Sequence, residues 1–421
     1  MHSHSTETSD DDPPLHVPAA TGRAMWLAVI VCGVAVCLGL VALWPGGSDR
    51  GTDPLGLDGD PVRSRVTSAE VVPCSYDALL GCRTIEISVS EGGRAGERFV
   101  LEQPLDSPIR DGDSILVDVV ENGDGTSQVF FYDFERSTPL LLLTIVFVAA
   151  IVVLGRWRGV GALAGLAASL FIIVMFVLPA ILAGSNAVAV ALVAAGAIAF
   201  IALFLAHGID LATAAALLAS IASLAVTAVL AWLFVGASKL TGLADESVGF
   251  LGALGNDINP QGLLLAGVVI GSLGVLDDVT VTQVSAVWEL KRARPDADRA
   301  DLYRRAVRIG RDHISSTVNT LFLAYAGAAL PLLLLFQEAG TSISSVATRE
   351  VVAVEIVRAL VGSVGLVASV PISTALAATI VGTVRDAPTG SPTPTSDTVG
   401  GSAADDVGGA ENAVSGGSND D

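Results

Sequence analysis

Two adjacent acids, Asp277 and Asp278, interrupt an otherwise uncharged, largely apolar stretch over residues 263–288. A carboxylate inside a membrane span is costly unless protein, water or a proton covers it. The chemistry such a group offers is ion or proton binding. Gly267, Gly271, Gly274, Asp278, Thr282 and Ser285 are spaced 4, 3, 4, 4 and 3 apart, the period of one helix face. Gly267 and Gly271 would let a neighbouring helix approach closely. The spacing therefore predicts Asp278 on a packed, inward face, with Asp277 about 100° round the helix at its flank. The alternative is a break at Leu276, with either acid capping a second helix. Adjacent carboxyls diverge on a helix, so the pair is not a shared-proton dyad.

Three further sets of polar residues stand in or beside apolar runs. Asp312 and His313 lead into a run that carries Asn319. Asp312, Ser316 and Asn319 share a helix face, and His313 sits at the boundary. An amide at the depth of Asn319 needs a partner, either across helices or along a hydrated path. Glu355 and Arg358 are three residues apart, the spacing of an ion pair, either a fixed brace or a gate. Gly362, Gly365, Ser369 and Ser373 continue that stripe. Asn256, Asp257, Asn259 and Gln261 offer oxygen ligands to a hard cation or, more simply, turn and cap chemistry.

The elements that must position these groups are membrane spans. The 421 residues are 52% hydrophobic, 16% charged and 5% aromatic, with the apolar residues gathered into long runs, as in a polytopic membrane protein. Eight runs qualify: 25–43, 140–154, 159–177, 187–206, 211–235, 263–288, 314–336 and 351–381. Arg23 precedes the first and WPGG follows it, which reads as an uncleaved anchor rather than a signal peptide. Pro331 and Pro371 predict kinks in the last two.

Charge orients the runs. With the first terminus inside, the inner loops hold Arg156 and Arg158, then His207 to Asp210, then the basic loop from Lys291 to Arg311. The short outer loops hold only Lys239 and Arg349. This satisfies the positive-inside rule, places both termini in the cytoplasm and puts residues 44–139 outside. That segment alternates like β structure at 84–90, 114–120 and 128–134, the last two joined by a hairpin-forming Asn-Gly-Asp-Gly. A small, barrel-like domain of about five strands is expected. Its Asp111, Asp113, Asp118 and Asp124 lack calcium-loop spacing and read as turn residues. Cys74 and Cys82 flank a short loop there, a disulfide in an oxidising compartment. Cys32 and Cys37, in the first run, read as small buried hydrophobes. The net charge of −20 lies largely in this domain and in two polar tails, 1–24 and 383–421, which are expected to be disordered. No extended basic surface suits nucleic acid. No protease, hydrolase or phosphate-loop signature is present, so no enzymatic activity and no cofactor are expected.

GSLGVLDDVTVTQVSAVWEL (271–290), IGRDHISSTVNTLFLAYAGAALPL (309–332) and VAVEIVRALVGSVGLVASVPISTALAA (352–378) occur in this order. Together they resemble the YibE/F family of bacterial multi-pass membrane proteins over roughly residues 60–383. In that resemblance Asp278 takes the family's aspartate position, and Asp277 stands where an apolar residue is expected. The resemblance implies a multi-pass, permease-like protein of the bacterial plasma membrane and no defined activity. The expectation is thus an α-helical polytopic fold: an anchor over 25–43, an extracytoplasmic β domain over 44–139 and a seven-span domain over 140–382. The leading function is a transport component whose path runs near Asp278, Thr282 and Asn319. The alternative is a sensor or assembly partner that uses the β domain and the basic loop. Expected partners are the lipid bilayer, a small solute or ion, and a protein partner or second copy.

Overall fold

The computed structural model describes residues 17–46, 61–74, 81–121, 127–244, 246–253, 258–340 and 342–383. Most of both tails, the 122–125 hairpin turn, Asn256 and Asp257 lie outside the described residues.

Helix α1 (Ala19–Ala42) starts directly after Pro18 and so takes in residues 19–24, assigned above to the tail. A residue before helical position one pays nothing for lacking an N–H, and the alanines that follow favour the helix. Among the described residues the β domain has five strands: β1 (Val62–Pro73), β2 (Gly81–Val89), β3 (Arg98–Pro104), β4 (Ser114–Glu121) and β5 (Ser127–Phe134). They form one antiparallel sheet in the order β3-β2-β1-β4-β5. The outer strands β3 and β5 approach each other, so the sheet curls toward a barrel. Register shifts at Val66/Ser68 and Leu116/Val117 supply the bends. Alternate side chains Val66, Ile85, Ile87, Leu101, Ile115 and Val117 fill its interior. Cys74 and Cys82 are disulfide-bonded, closing the loop between β1 and β2.

Among the described residues, six helical stretches are long and apolar enough to cross a membrane. They are α1, the stretch Ser137–Leu182, α4 (Ala187–His207), α5 (Leu211–Ala237), α7 (Pro260–Ala293) and α11 (Glu350–Val381). Ser137–Leu182 comprises α2 (Ser137–Ile172), a π turn (Ile173–Val177) and α3 (Leu178–Leu182). It is interrupted at Arg156, whose φ of 50° and ψ of −131° are not helical. The chain doubles back there: a Cβ added to Gly159 would fall on the Ile151 carbonyl oxygen. Before the break residues 136–150 are all exposed. After it, Gly165 lies so close to α4 that a Cβ would sit 3.2 Å from Ala202 Cα.

Short α6 (Glu246–Ala253) precedes α7. Helices α8 (Arg299–Ala328) and α9 (Leu330–Glu338) are bent by 58° and, taken as a pair, are long and apolar enough for one further crossing. The bend falls just before Pro331, which lacks the N–H needed to continue the helix. Pro371, by contrast, lies inside α11 without ending it. Short α10 (Ile343–Ala347) leads into α11. The turn from α7 to α8 is held by Lys291, which is buried and donates from Nζ to the carbonyls of Pro295 (2.5 Å) and Ala297 (3.2 Å). The bundle core is built from α4, α5, α7 and α11, with α4 contributing an alanine-rich surface that lets its neighbours close in.

Candidate functional site

Helix α7 is the spine of the site. Asn259 caps it by accepting from the Gly262 N–H at 3.1 Å, Pro260 begins it, and Lys291 and Arg292 lie in its last turn. Its 34 residues span about 51 Å, and Asp277 and Asp278 sit near the middle. The helix is continuous through Leu276, so neither acid is a cap.

The buried face of α7 carries Ser272, Leu273, Leu276, Val279, Thr280, Gln283 and Val287. Gly267, Gly271, Gly274, Asp278, Thr282 and Ser285 are exposed. The predicted inward stripe is therefore outward, and the orientation of the two acids is corrected. The large aliphatic side chains lie on the other side, and α4, α5 and α11 pack there because burial of those residues gives the greater contact area. Among the outward glycines only Gly271 has a near neighbour: a Cβ there would stand 3.9 Å from the Tyr325 hydroxyl.

Asp277 turns toward α5. Its Oδ1 is fully enclosed and has no hydrogen-bond partner, while the Ser220 hydroxyl lies beside the carboxyl. Ser220 Oγ is 2.6 Å from Thr280 Oγ1, and Thr280 Oγ1 is also 3.0 Å from the Asp277 carbonyl oxygen. These three residues begin a column of buried hydroxyls between α5, α7 and α11. Ser223, Thr227, Ser369, Ser373 and Thr374 are all fully buried. Thr227 donates to the Ser223 carbonyl at 2.9 Å and Ser373 to the Ser369 carbonyl at 2.7 Å. Ser223 Oγ and Thr374 Oγ1 have no partner. Gly365 completes the packing, since a Cβ there would overlap the Thr227 hydroxyl.

The residues of α8 are not brought to Asp277. Ile314 and Val318 pack on Val275 and Val279, about 160° round α7 from Asp277. Gln283 pins α8 by donating to the Ala306 carbonyl at 2.6 Å. Asp312 and Asn319 are exposed. His313 is half-buried, with Nε2 enclosed and unpartnered.

Glu355 and Arg358 form the expected ion pair, 2.6 Å apart and each about 30% exposed. They line a cavity of about 620 Å³ with Gly242, Pro260, Leu263 and Val351. Next to it, Glu350 accepts from the N–H groups of Thr241 (2.6 Å) and Gly242 (2.8 Å), tying α11 to the segment after α5. Asn259 spends its side-chain oxygen on the helix cap. Among the described residues no His, Cys, Asp and Glu cluster suits a metal ion.

Sequence reasoning missed a second cavity, of about 270 Å³, at the opposite end of the bundle. Arg158, His207, Asp210, Thr213, Glu289 and Arg292 line it. Asp210 caps α5 by accepting from the Thr213 N–H at 2.6 Å, and Arg292 pairs with Glu289 at 2.5 Å. The α5 hydroxyls that lead away from this cavity were also missed. Thr213, Ser220, Ser223 and Thr227 stand 7, 3 and 4 apart, a helical spacing that was available to be read.

The family described as YibE/F-like protein matches residues 143–383, and the chain belongs to it. No curated protein and no solved structure matches the chain.

Proposed function

We propose that this YibE/F-like membrane protein is a permease-like transport component of the bacterial plasma membrane, with Asp277 as its working carboxylate. The observation that carries the reading is the Asp277 carboxyl near mid-length of α7, turned into a hydroxyl-lined helix junction with one oxygen unpartnered. Carboxylates kept at such depth characteristically mark ion and proton pathways. The Glu355–Arg358 cavity suits an outer vestibule for a small solute or ion. Eight crossings follow if the stretch Ser137–Leu182 counts as two spans separated at Arg156 and the bent pair α8–α9 counts as one. Both termini are then cytoplasmic and the disulfide-bonded β domain extracytoplasmic, in keeping with the basic inner loops and an oxidising exterior.

The test is solute uptake into proteoliposomes under an imposed pH gradient. Wild-type protein and Asp278→Asn should move at least one solute, whereas Asp277→Asn should insert normally and move none. Absence of gradient-driven flux with wild type across a broad solute panel, or unchanged flux with Asp277→Asn, contradicts the reading.

One observation favours a second reading, assembly. The Gly267–Gly271–Gly274–Asp278 stripe is exposed along the middle of a spanning helix, where a carboxylate is costly to leave against acyl chains and small residues favour helix association. A second copy of the chain is the occupant this reading names. Its test is the oligomeric state in bilayer nanodiscs. Dimers in the wild type that dissociate in Gly271→Leu support it, and monomers in both remove it.

A further inference from the structure

We infer that Asp277 exchanges a proton with one side of the membrane only, through the cavity ringed by Arg158, His207, Asp210, Thr213, Glu289 and Arg292 at the basic end of the bundle. This deepens the reading of Asp277 as the working carboxylate and rests on it.

The connection is a matter of helical register. The cavity reaches Thr213 and Ala216 on α5 and Val281 and Val284 on α7. Ser220 lies one turn beyond Ala216, and Asp277 lies one turn beyond Val281, both deeper along their helices. About 6 Å of helix therefore separates the cavity floor from the carboxyl and its hydroxyl neighbour. On the far side no comparable cavity reaches the carboxyl among the described residues; Leu273, Leu276 and Leu224 are buried in the core there, and Gly365 seats against Thr227.

The hydroxyl pair has a proton arrangement suited to each protonation state of Asp277. Either Ser220 or Thr280 can donate across their 2.6 Å contact. When Thr280 donates to Ser220, Ser220 is free to donate to the Asp277 carboxylate. When Ser220 donates to Thr280, Thr280 donates to the Asp277 carbonyl at 3.0 Å. Ser220 then presents only lone pairs to Asp277, the complement of a protonated carboxyl. Once a proton reaches the carboxyl, its gain is matched by the rotation of two hydroxyls, and its loss reverses that rotation.

Among the described residues no fixed charge competes at this point. Helix α5 carries no titratable side chain, and the only one on α4 is His207, at its end, in the cavity wall. On α11 Glu350, Glu355 and Arg358 lie in the first three turns, by the other cavity or beside it. On α8, Asp312, His313 and Tyr325 lie on the helix that packs over the Val275–Val279 side of α7. On α7 itself Asp278 faces outward, and Glu289, Lys291 and Arg292 are three or more turns away.

The experiment uses the full chain in sealed vesicles of both orientations, with Cys32 and Cys37 replaced by serine. Thr213→Cys and Ala216→Cys, which line the cavity, are probed singly with a membrane-impermeant thiol reagent, and Asp296→Cys in the exposed α7–α8 turn marks the basic side. Both should label from the Asp296 side and be protected from the other. In parallel, a hydrophobic carbodiimide should modify Asp277 in the otherwise native chain. That modification should fall about tenfold per pH unit above its midpoint, as protonated carboxyl is depleted, and it should follow the pH on the Asp296 side alone. Ser220→Ala should shift the midpoint without changing the side. Labelling from the opposite side, or carbodiimide modification governed by the opposite pH, overturns the inference. So does a failure of Asp277 to react at any pH while Thr213→Cys stays unreactive. Neither readout requires flux, so one-sided labelling in a protein that transports nothing would remove only the transport reading.

Discussion

The two faces of α7 carry adjacent aspartates in opposite circumstances. Asp277 is turned into a junction of buried hydroxyls, whereas Asp278 stands on an exposed stripe of glycine, threonine and serine. Both faces carry small or polar residues, but the large aliphatic side chains of α7 lie on the inward one. The difference lies in what the neighbouring helices bring. The α5 and α11 surfaces offer leucines and alanines to pack and hydroxyls to bond, while the outward stripe meets little of the other described residues. A membrane helix chooses its inward face by packing, because lipid already satisfies its apolar side chains.

The largest expected effect tests the packed side of that contrast. Gly365→Leu forces a branched side chain into the space held by Thr227, an overpacking that costs about 1–3 kcal/mol or more. Thermal unfolding in detergent should show a large loss of stability. Gly274→Leu, where nothing lies within 4 Å of an added Cβ, should leave the midpoint nearly unchanged. Next comes Thr280→Val, which removes a buried hydroxyl and strands the Ser220 partner at a cost of about 1–3 kcal/mol. Thr282→Val, on the outward face, should be close to neutral in the same assay. Equal losses for the inward and outward members of either pair would erase the distinction.

The smallest effect concerns the junction between the β domain and α2. Arg136 donates to Asp133 at 2.6 Å, and that hydrogen bond holds the Asp133 carboxyl below the ordinary carboxylate range. Glu135 is likewise held low, first by its hydrogen bonds to Ser137. Both pKa values are depressed in the folded chain, so their contribution is present above the unfolded carboxylate range, near pH 4, and fades as pH falls through the lower folded values. Arg136→Ala should slightly weaken acid resistance of the junction, read as amide exchange at Phe134 against pH, and leave neutral-pH behaviour alone.

Much of this architecture was legible beforehand. The segments 84–90, 114–120 and 128–134 coincide closely with β2, β4 and β5, because alternation and turn residues report strands directly. The pairing of Glu355 with Arg358 followed from their spacing, and the apolar runs located the helices. The phase of α7 did not follow. Its glycine stripe has the correct period, but the period fixes only which residues share a face, not which face is inward. The α5 hydroxyls were passed over because single serines and threonines in an alanine-rich helix carry little contrast. The basic-end cavity was unreadable for another reason: Arg158, His207 and Arg292 come from three separate helices, α2, α4 and α7, which only the tertiary fold brings together.

The central claim is the phase of α7, and disulfide trapping measures it most directly. In a background lacking Cys32 and Cys37, Ser220→Cys combined with Thr280→Cys should crosslink rapidly under mild oxidation, because their hydroxyls now lie 2.6 Å apart. Ser220→Cys combined with Asp278→Cys should not crosslink within one chain. Efficient trapping of the second pair and failure of the first would put Asp278 inward and contradict the account.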